Sequence, residues 1–245
     1  MDPSARPEAP TPPWWGFTQG LLVASCLLIV GLALLRGDQG LKNSDWPSFM
    51  VAGRLAATQP DRIYDRDAER REQRAVVGPG TYDLPGYGGL LPVVAPPWVA
   101  LYAAPFAKLG LGAGGRLWII AQVLALLAGL LLVTGWREPV RALSAVAGVP
   151  LVLLVGNAQL DGIVVLGLGL AWRLSLRDQS LWAGAALGLT LAKPHLVLGV
   201  AAGLLLGRRW RVLAGWALAG FLLVAGTLVL APGALAAWPS AALST

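Results

Sequence analysis

The feature that most limits what this chain can fold into is a series of apolar runs interrupted where a bilayer would forbid interruption. Apolar stretches occupy residues 21–35, 92–109, 116–135, 142–156, 159–172, 180–192, 195–207 and 212–231. A helix that crosses a membrane needs about 20 predominantly apolar residues, and several of these runs are shorter. "GNAQLDG" and "LAKPHL" break them with polar side chains. Irregular backbone survives at membrane depth only where protein buries it or where it lines a water-filled cavity. The pattern therefore predicts an all-α, polytopic transmembrane bundle with a cavity at its breaks.

Charge supports that class. Only 13% of residues are charged and 56% are apolar, against about 25% charged in soluble domains. The net charge of +6 would, in a soluble chain, raise nucleic acid as a partner. Here the basic residues fall in short clusters between apolar runs, "WREPVR", "RLSLR" and "RRWR". Those read as topology signals, with membrane lipids and no nucleic acid as the expected partners. The single cysteine, Cys26, lies inside the first apolar run, so no intrachain disulfide forms.

The Pro-rich N-terminus lacks the basic start and small-residue cleavage site of a signal peptide. Residues 1–15 are expected to form a disordered tail, and 16–245 a single transmembrane domain. Within it, 16–36 is a retained first helix, 37–91 an extracytoplasmic loop and 92–245 the remaining helices. The loop holds 8 of the 13 acids and 7 of the 19 basic residues. Trp46, Phe49, Met50 and Gly53 recur at helical spacing with Pro47 in the first turn, predicting a short helix lying on the membrane. Asp65 is placed to cap a second helix that Arg70, Arg71 and Arg74 close. Counting crossings leaves two alternatives. Either 92–109 and 116–135 both span, which puts "WREPVR" on the outer side against the positive-inside tendency, or a stretch near "VVAPPWV" dips without crossing.

Four groups of residues carry candidate chemistry, and each has a plainer reading. Asp45, in "KNSDWPSF", is either an acid favoured at a helix N-terminus or a base at the water–membrane boundary that deprotonates an acceptor hydroxyl. Lys193 and His195, in "LAKPHL", are either an interfacial anchor and its neighbour or a cationic site for a lipid phosphate. Pro194 between them removes one amide donor and breaks the helix. Asn157, Gln159 and Asp161 either bond helices together or line the cavity and bind sugar hydroxyls. Tyr82 and Tyr87 either anchor their loop or stack on a sugar. With one His and one Cys, no metal-ligand constellation is visible, and there is no P-loop or G-x-G-x-x-G. Neither metal nor cofactor is expected.

Four pieces in order give the chain a family resemblance: "SDWPSFMVAGRLAATQPDRIYD", "VVAPPWVALYAAPFAKLG", "GNAQLDGIVVLGLGLAWRL", and "WAGAALGLTLAKPHLVLG" followed by "RRWR". Together they resemble the GT-C superfamily of membrane glycosyltransferases, and within it glycosyltransferase family 87, the polyprenol-phosphate-mannose-dependent mannosyltransferases. The resemblance implies metal-independent, inverting transfer of a hexose, mannose in this family, from a polyprenyl-phosphate donor. The acceptor would be a lipid or glycan on the extracytoplasmic face of a cell membrane. It maps the catalytic acid onto Asp45 and the donor-phosphate ligand onto Lys193, and so requires the two to open into a common void. Family members generally continue with further helices, so the resemblance also implies a domain lacking its C-terminal part. Two other functional classes fit the same residues: a carrier or flippase of lipid-linked intermediates, and an inactive relative of the enzymes.

Overall fold

The computed structural model describes residues 15–78, 90–135 and 139–243, and every regular element among them is helical. The expected N-terminal tail, Trp15 apart, lies outside the described residues. Among the described residues, three helices are long and apolar enough to cross a membrane: α1 (Trp15–Leu35), α6 (Gly110–Thr134) and α12 (Trp210–Leu230). Leu21, Leu27, Leu28 and Leu32 of α1 stay exposed, a surface suited to lipid.

Lipid tails are as apolar as leucine, so helices in a bilayer associate by close packing of small residues. A β-carbon added at Gly129 of α6 would sit 2.5 Å from the Val165 carbonyl oxygen of α9 (Asp161–Ser175). One added at Gly162 of α9 would sit 1.9 Å from the Gln122 oxygen of α6. These contacts advance together along both helices, so α6 and α9 run parallel. The chain returns between them as α7 (Pro139–Ser144) and α8 (Val149–Gly156).

The next repeat of this arrangement is shorter. In α10 (Ser180–Leu187) and the 3₁₀ turn Gly188–Ala192 that follows, Gly184 meets Val212 and Gly188 meets Ala219 of α12. These elements are therefore parallel too, and α11 (Pro194–Leu206) brings the chain back. The 13 residues of α11 reach about 20 Å, against about 32 Å for the 21 residues of α12. The hairpin of α10 and α11 thus stops short of the end that α12 attains. At its base, tight turns with Asp178 at φ 57° and Arg208 at φ 50° carry Arg173, Arg177, Arg208, Arg209 and Arg211. This is the basic side.

The opposite, loop side holds α2 (Asp38–Lys42), α3 (Trp46–Thr58), α4 (Arg66–Val77), α5 (Pro97–Ala107) and α13 (Pro232–Leu243). Trp46 and Met50 are buried as the helical spacing predicts, but so are Pro47, Ser48, Val51, Ala52 and Leu55. Helix α3 is consequently packed round most of its circumference rather than laid on a surface, because α5 covers its other face. Asp65 caps α4, accepting from the Asp67 and Ala68 amides at 3.0 Å each. The Ala68 amide and the Arg62 guanidinium hold that carboxyl below the usual carboxylate range.

Helix α5 is shorter than a membrane-spanning helix. Its 11 residues reach about 16 Å and pack on α3. Helix α6 then starts on the loop side, where Trp46 Nε1 donates to the Leu111 carbonyl at 3.0 Å and Arg116 Nε to the Leu34 carbonyl at 3.1 Å. It ends on the basic side, in keeping with the positive-inside tendency.

Candidate functional site

Helix α3 begins at Asp45, yet the Asp45 carboxylate does not cap it. The Asp45 carbonyl accepts from the Ser48 and Phe49 amides at 3.1 and 3.2 Å, while the Ser44 hydroxyl accepts from the Trp46 amide at 3.3 Å. Relieved of capping, the carboxylate turns to the "GNAQLDG" break and accepts a hydrogen bond from Gln159 Nε2. The Asp45 amide donates to the Asn157 carbonyl in that same break, at 3.1 Å.

The second break comes from the hairpin tip. Lys193 ends the 3₁₀ turn and precedes Pro194 at the first position of α11, where a missing amide costs nothing. Its ammonium donates to Asp161 Oδ1 at 2.5 Å, with the lysine side chain 18% and the aspartate 42% exposed. The two polar interruptions are thereby tied tip to tip.

A cavity of about 420 Å³ opens between these tips and α3, within the range of ligand-binding pockets. Asp45, Gln159, Lys193 and His195 all line it, together with Ser48, Phe49 and the stretch from Leu91 to Pro96. That stretch has no regular structure, so its backbone groups need partners from elsewhere. Gln73 bonds both the amide and the carbonyl of Leu91. Glu69 Oε2 accepts from the Val93 amide at 3.1 Å, and Tyr64 donates to the Ala95 carbonyl at 2.6 Å. Ser48 donates to the Pro92 carbonyl and Trp238 to that of Val94, at 3.2 and 3.1 Å. The apolar wall is hung from polar side chains of α3, α4 and α13 and from Tyr64, just before α4.

Burial pushes the Asp45 carboxyl above its ordinary range, and the nearby Lys193 charge and the Gln159 hydrogen bond oppose that rise. A carboxylate so placed is a stronger base than an exposed one and remains able to ionise. The ammonium of Lys193 on the same cavity wall supplies positive charge for an anion.

The residues singled out in the sequence divide accordingly. Asp45, Gln159, Lys193 and His195 share the cavity, and Asp161 joins it through Lys193. Asn157 contributes a backbone carbonyl, while its side chain is exposed and is not among those on the cavity wall. Tyr82 and Tyr87 lie outside the described residues. Ser48 and Phe49 were missed, although their i+3 and i+4 spacing from Asp45 puts them on its face of α3. Glu69 and Gln73 were missed because nothing in a charged helix marks which members turn inward. Among the described residues, no group of three or more His, Cys, Asp or Glu side chains converges as a metal site would need.

No curated protein and no solved structure matches the chain. The model of glycosyltransferase family 87 matches residues 94–245, well over half of the sequence. The match takes in Gln159, Asp161, Lys193 and His195, and begins after Asp45.

Proposed function

The chain belongs to glycosyltransferase family 87, and on that premise we propose that it transfers a hexose, mannose in our reading, from a polyprenyl-phosphate donor to a lipid or glycan acceptor. Membership makes it a membrane glycosyltransferase with a sugar donor and an acceptor. The donor's lipid carrier, the sugar and the side of the membrane are the proposal.

One observation carries it: a carboxylate and an ammonium face the same cavity from two unconnected elements. In the proposed step Asp45 takes the proton from the acceptor hydroxyl. The acceptor oxygen bonds to the anomeric carbon from the face opposite the donor phosphate. The carbon–oxygen bond to phosphate breaks with its electron pair, leaving polyprenyl phosphate and an inverted anomeric centre. A phosphate leaves without protonation if positive charge awaits it, and Lys193 provides that charge. Asp161 holds the ammonium in place between turnovers. The mainly apolar wall from Leu91 to Pro96 suits the first carbons of a lipid tail.

The basic side supports an extracytoplasmic cavity. Arginines 173, 177, 208, 209 and 211 flank short turns at the end opposite the cavity, where the positive-inside rule favours cytoplasm. On the loop side, five arginines sit in ion pairs: Arg54–Glu72, Arg62–Asp65, Arg66–Glu69, Arg70–Asp67 and Arg116–Asp38.

The test uses membranes containing the chain, a short-chain polyprenyl-phosphate [¹⁴C]mannose and octyl α-mannoside as acceptor. Radiolabelled disaccharide is expected from the wild type, with none from Asp45→Asn at equal expression. Movement of the labelled lipid between leaflets without a new glycosidic bond would instead make the protein a carrier.

A further inference from the structure

The last carbonyls of a helix have no partner within it, and burying them unpaired is costly. Helix α8 ends against other helices, and three consecutive carbonyls at its end are closed from three different elements. The Gly156 oxygen accepts from Arg36 Nη1 at 2.6 Å, at the end of α1. The Asn157 oxygen accepts from the Asp45 amide at 3.1 Å. The Ala158 oxygen accepts from Trp118 Nε1 at 2.8 Å, from α6.

Ala158 is fully buried and sits at φ 54°, in the left-handed region that residues with a β-carbon seldom occupy. Such a conformation persists only where its surroundings over-determine it. The reversal it makes carries the chain from the carbonyl that holds the Asp45 amide to the side chain of Gln159 that holds the Asp45 carboxylate. Asp45 is thus gripped at two points, both on the Asn157–Gln159 tripeptide, which Trp118 braces at Ala158 and Arg36 braces at Gly156, the residue before it.

Neither brace lines the cavity. Trp118 has no exposed surface and packs among Trp46, Phe49, Tyr102 and Phe106, with ring centroids 5.1–5.5 Å away. Nε and Nη2 of Arg36 are buried without hydrogen-bond partners. Its one direct bond and its charge are spent on the negative end of α8, where a cation is favoured.

We propose that Trp118 and Arg36 are positioning residues that fix the Gly156–Gln159 turn and, through it, the direction of the Asp45 carboxylate. The inference rests on the reading of Asp45 as the base. Misplacement of a reacting group by about 1 Å can cost on the order of 10²-fold in rate, so such bracing has kinetic weight.

Trp118→Phe keeps a ring in the aromatic cluster and removes the indole donor, and Arg36→Lys keeps a cation with shorter reach. Two measurements on the purified full chain separate positioning from plain folding. The first is hydrogen exchange, by mass spectrometry, of peptides spanning Asp45 and of control peptides in α4. Either variant should exchange several-fold faster around Asp45 while α4 holds its wild-type rate. The second is steady-state transfer with the mannosyl donor and octyl mannoside named above. Turnover should fall about 10-fold or more, with the donor KM within about twofold and the acid limb of the pH profile moved upward. Wild-type exchange around Asp45 with wild-type turnover in both variants would overturn the proposal, as would equal loosening of α4. Full activity in Asp45→Asn would remove the base reading instead, and the exchange result would still decide whether the turn is braced.

Discussion

Gln159 Nε2 donates its hydrogen bond to the carboxylate of Asp45, although 113 residues lie between the two in the chain. A donor to the charged form of an acid favours ionisation. Gln159→Leu keeps the volume and removes the donor. The Asp45 carboxyl, already raised by burial, should rise further, so the acid limb of the kcat/KM profile moves to higher pH. Turnover at neutral pH should drop by about 10-fold or more. A pH series on membranes checks it, and an unmoved acid limb would detach Gln159 from the base.

Lys193 tests the proposed contact with the donor phosphate. Its ammonium meets Asp161 across the two breaks and faces the cavity. A charge-assisted hydrogen bond contributes about 1.5–3 kcal/mol, so Lys193→Met should raise the donor KM or slow turnover by about 10- to 100-fold. On the proposed reading of Asp45 as the base, the acid limb should move upward too, since the Lys193 charge lowers that carboxyl. Lys193→Arg should recover part of the donor affinity. Titration of donor concentration in each variant measures the effect.

Glu69, behind the cavity wall, offers a stability test. Its side chain has no exposed surface, and burial pushes its carboxyl up, opposed by the Val93 amide and Arg66. The folded state therefore holds the proton more tightly than the unfolded chain, whose glutamates titrate near about 4.3. Its share of stability is present at low pH and declines as pH rises from that value through the folded one. Glu69→Gln keeps an acceptor for the Val93 amide and cannot ionise. The difference in melting temperature between variant and wild type should shift in the variant's favour as pH rises across that window. A pH-independent difference would contradict it.

Gly184 tests the packing of the hairpin. A β-carbon there would lie 1.9 Å from the Val212 carbonyl oxygen, and one at Gly215 would lie 2.0 Å from that of Leu181. Gly184→Val forces α10 and α12 apart, at a cost upward of about 3 kcal/mol. The variant should lose its monodisperse peak in fluorescence-detected size exclusion, whereas Gly226→Val should keep it. Nothing lies within 4 Å of a β-carbon at Gly226.

Much of this architecture can be read from residue order, for identifiable reasons. "GNAQLDG" and "LAKPHL" declare themselves because lipid tolerates no such interruption, and both reach the cavity. The shortness of α5 cannot be read that way. "PWVALYAAPFA" is as apolar as a spanning helix, and the fold sets its end at Ala107 and its packing at Gly53, where a β-carbon would come within 2.9 Å of Ala103. Asp45 stands out as an acid beside a membrane, but its partner does not, since the pairing depends on two distant tips meeting. Trp118 and Arg36 are less legible still. Their contacts follow from a left-handed Ala158, and alanine gives no local sign of that conformation.

The partial burial of the α10–α11 hairpin tip has an electrostatic consequence. The Lys193 side chain there is 18% exposed, against 44% for Arg62 on the outer surface. Exposed ion pairs such as Arg62–Asp65 weaken as dissolved salt closes around them, over a Debye length of about 8 Å at physiological ionic strength. The more buried Lys193 ammonium is screened less. Concentrated salt should therefore loosen the outer surface of this protein well before it loosens the grip on an anion held within.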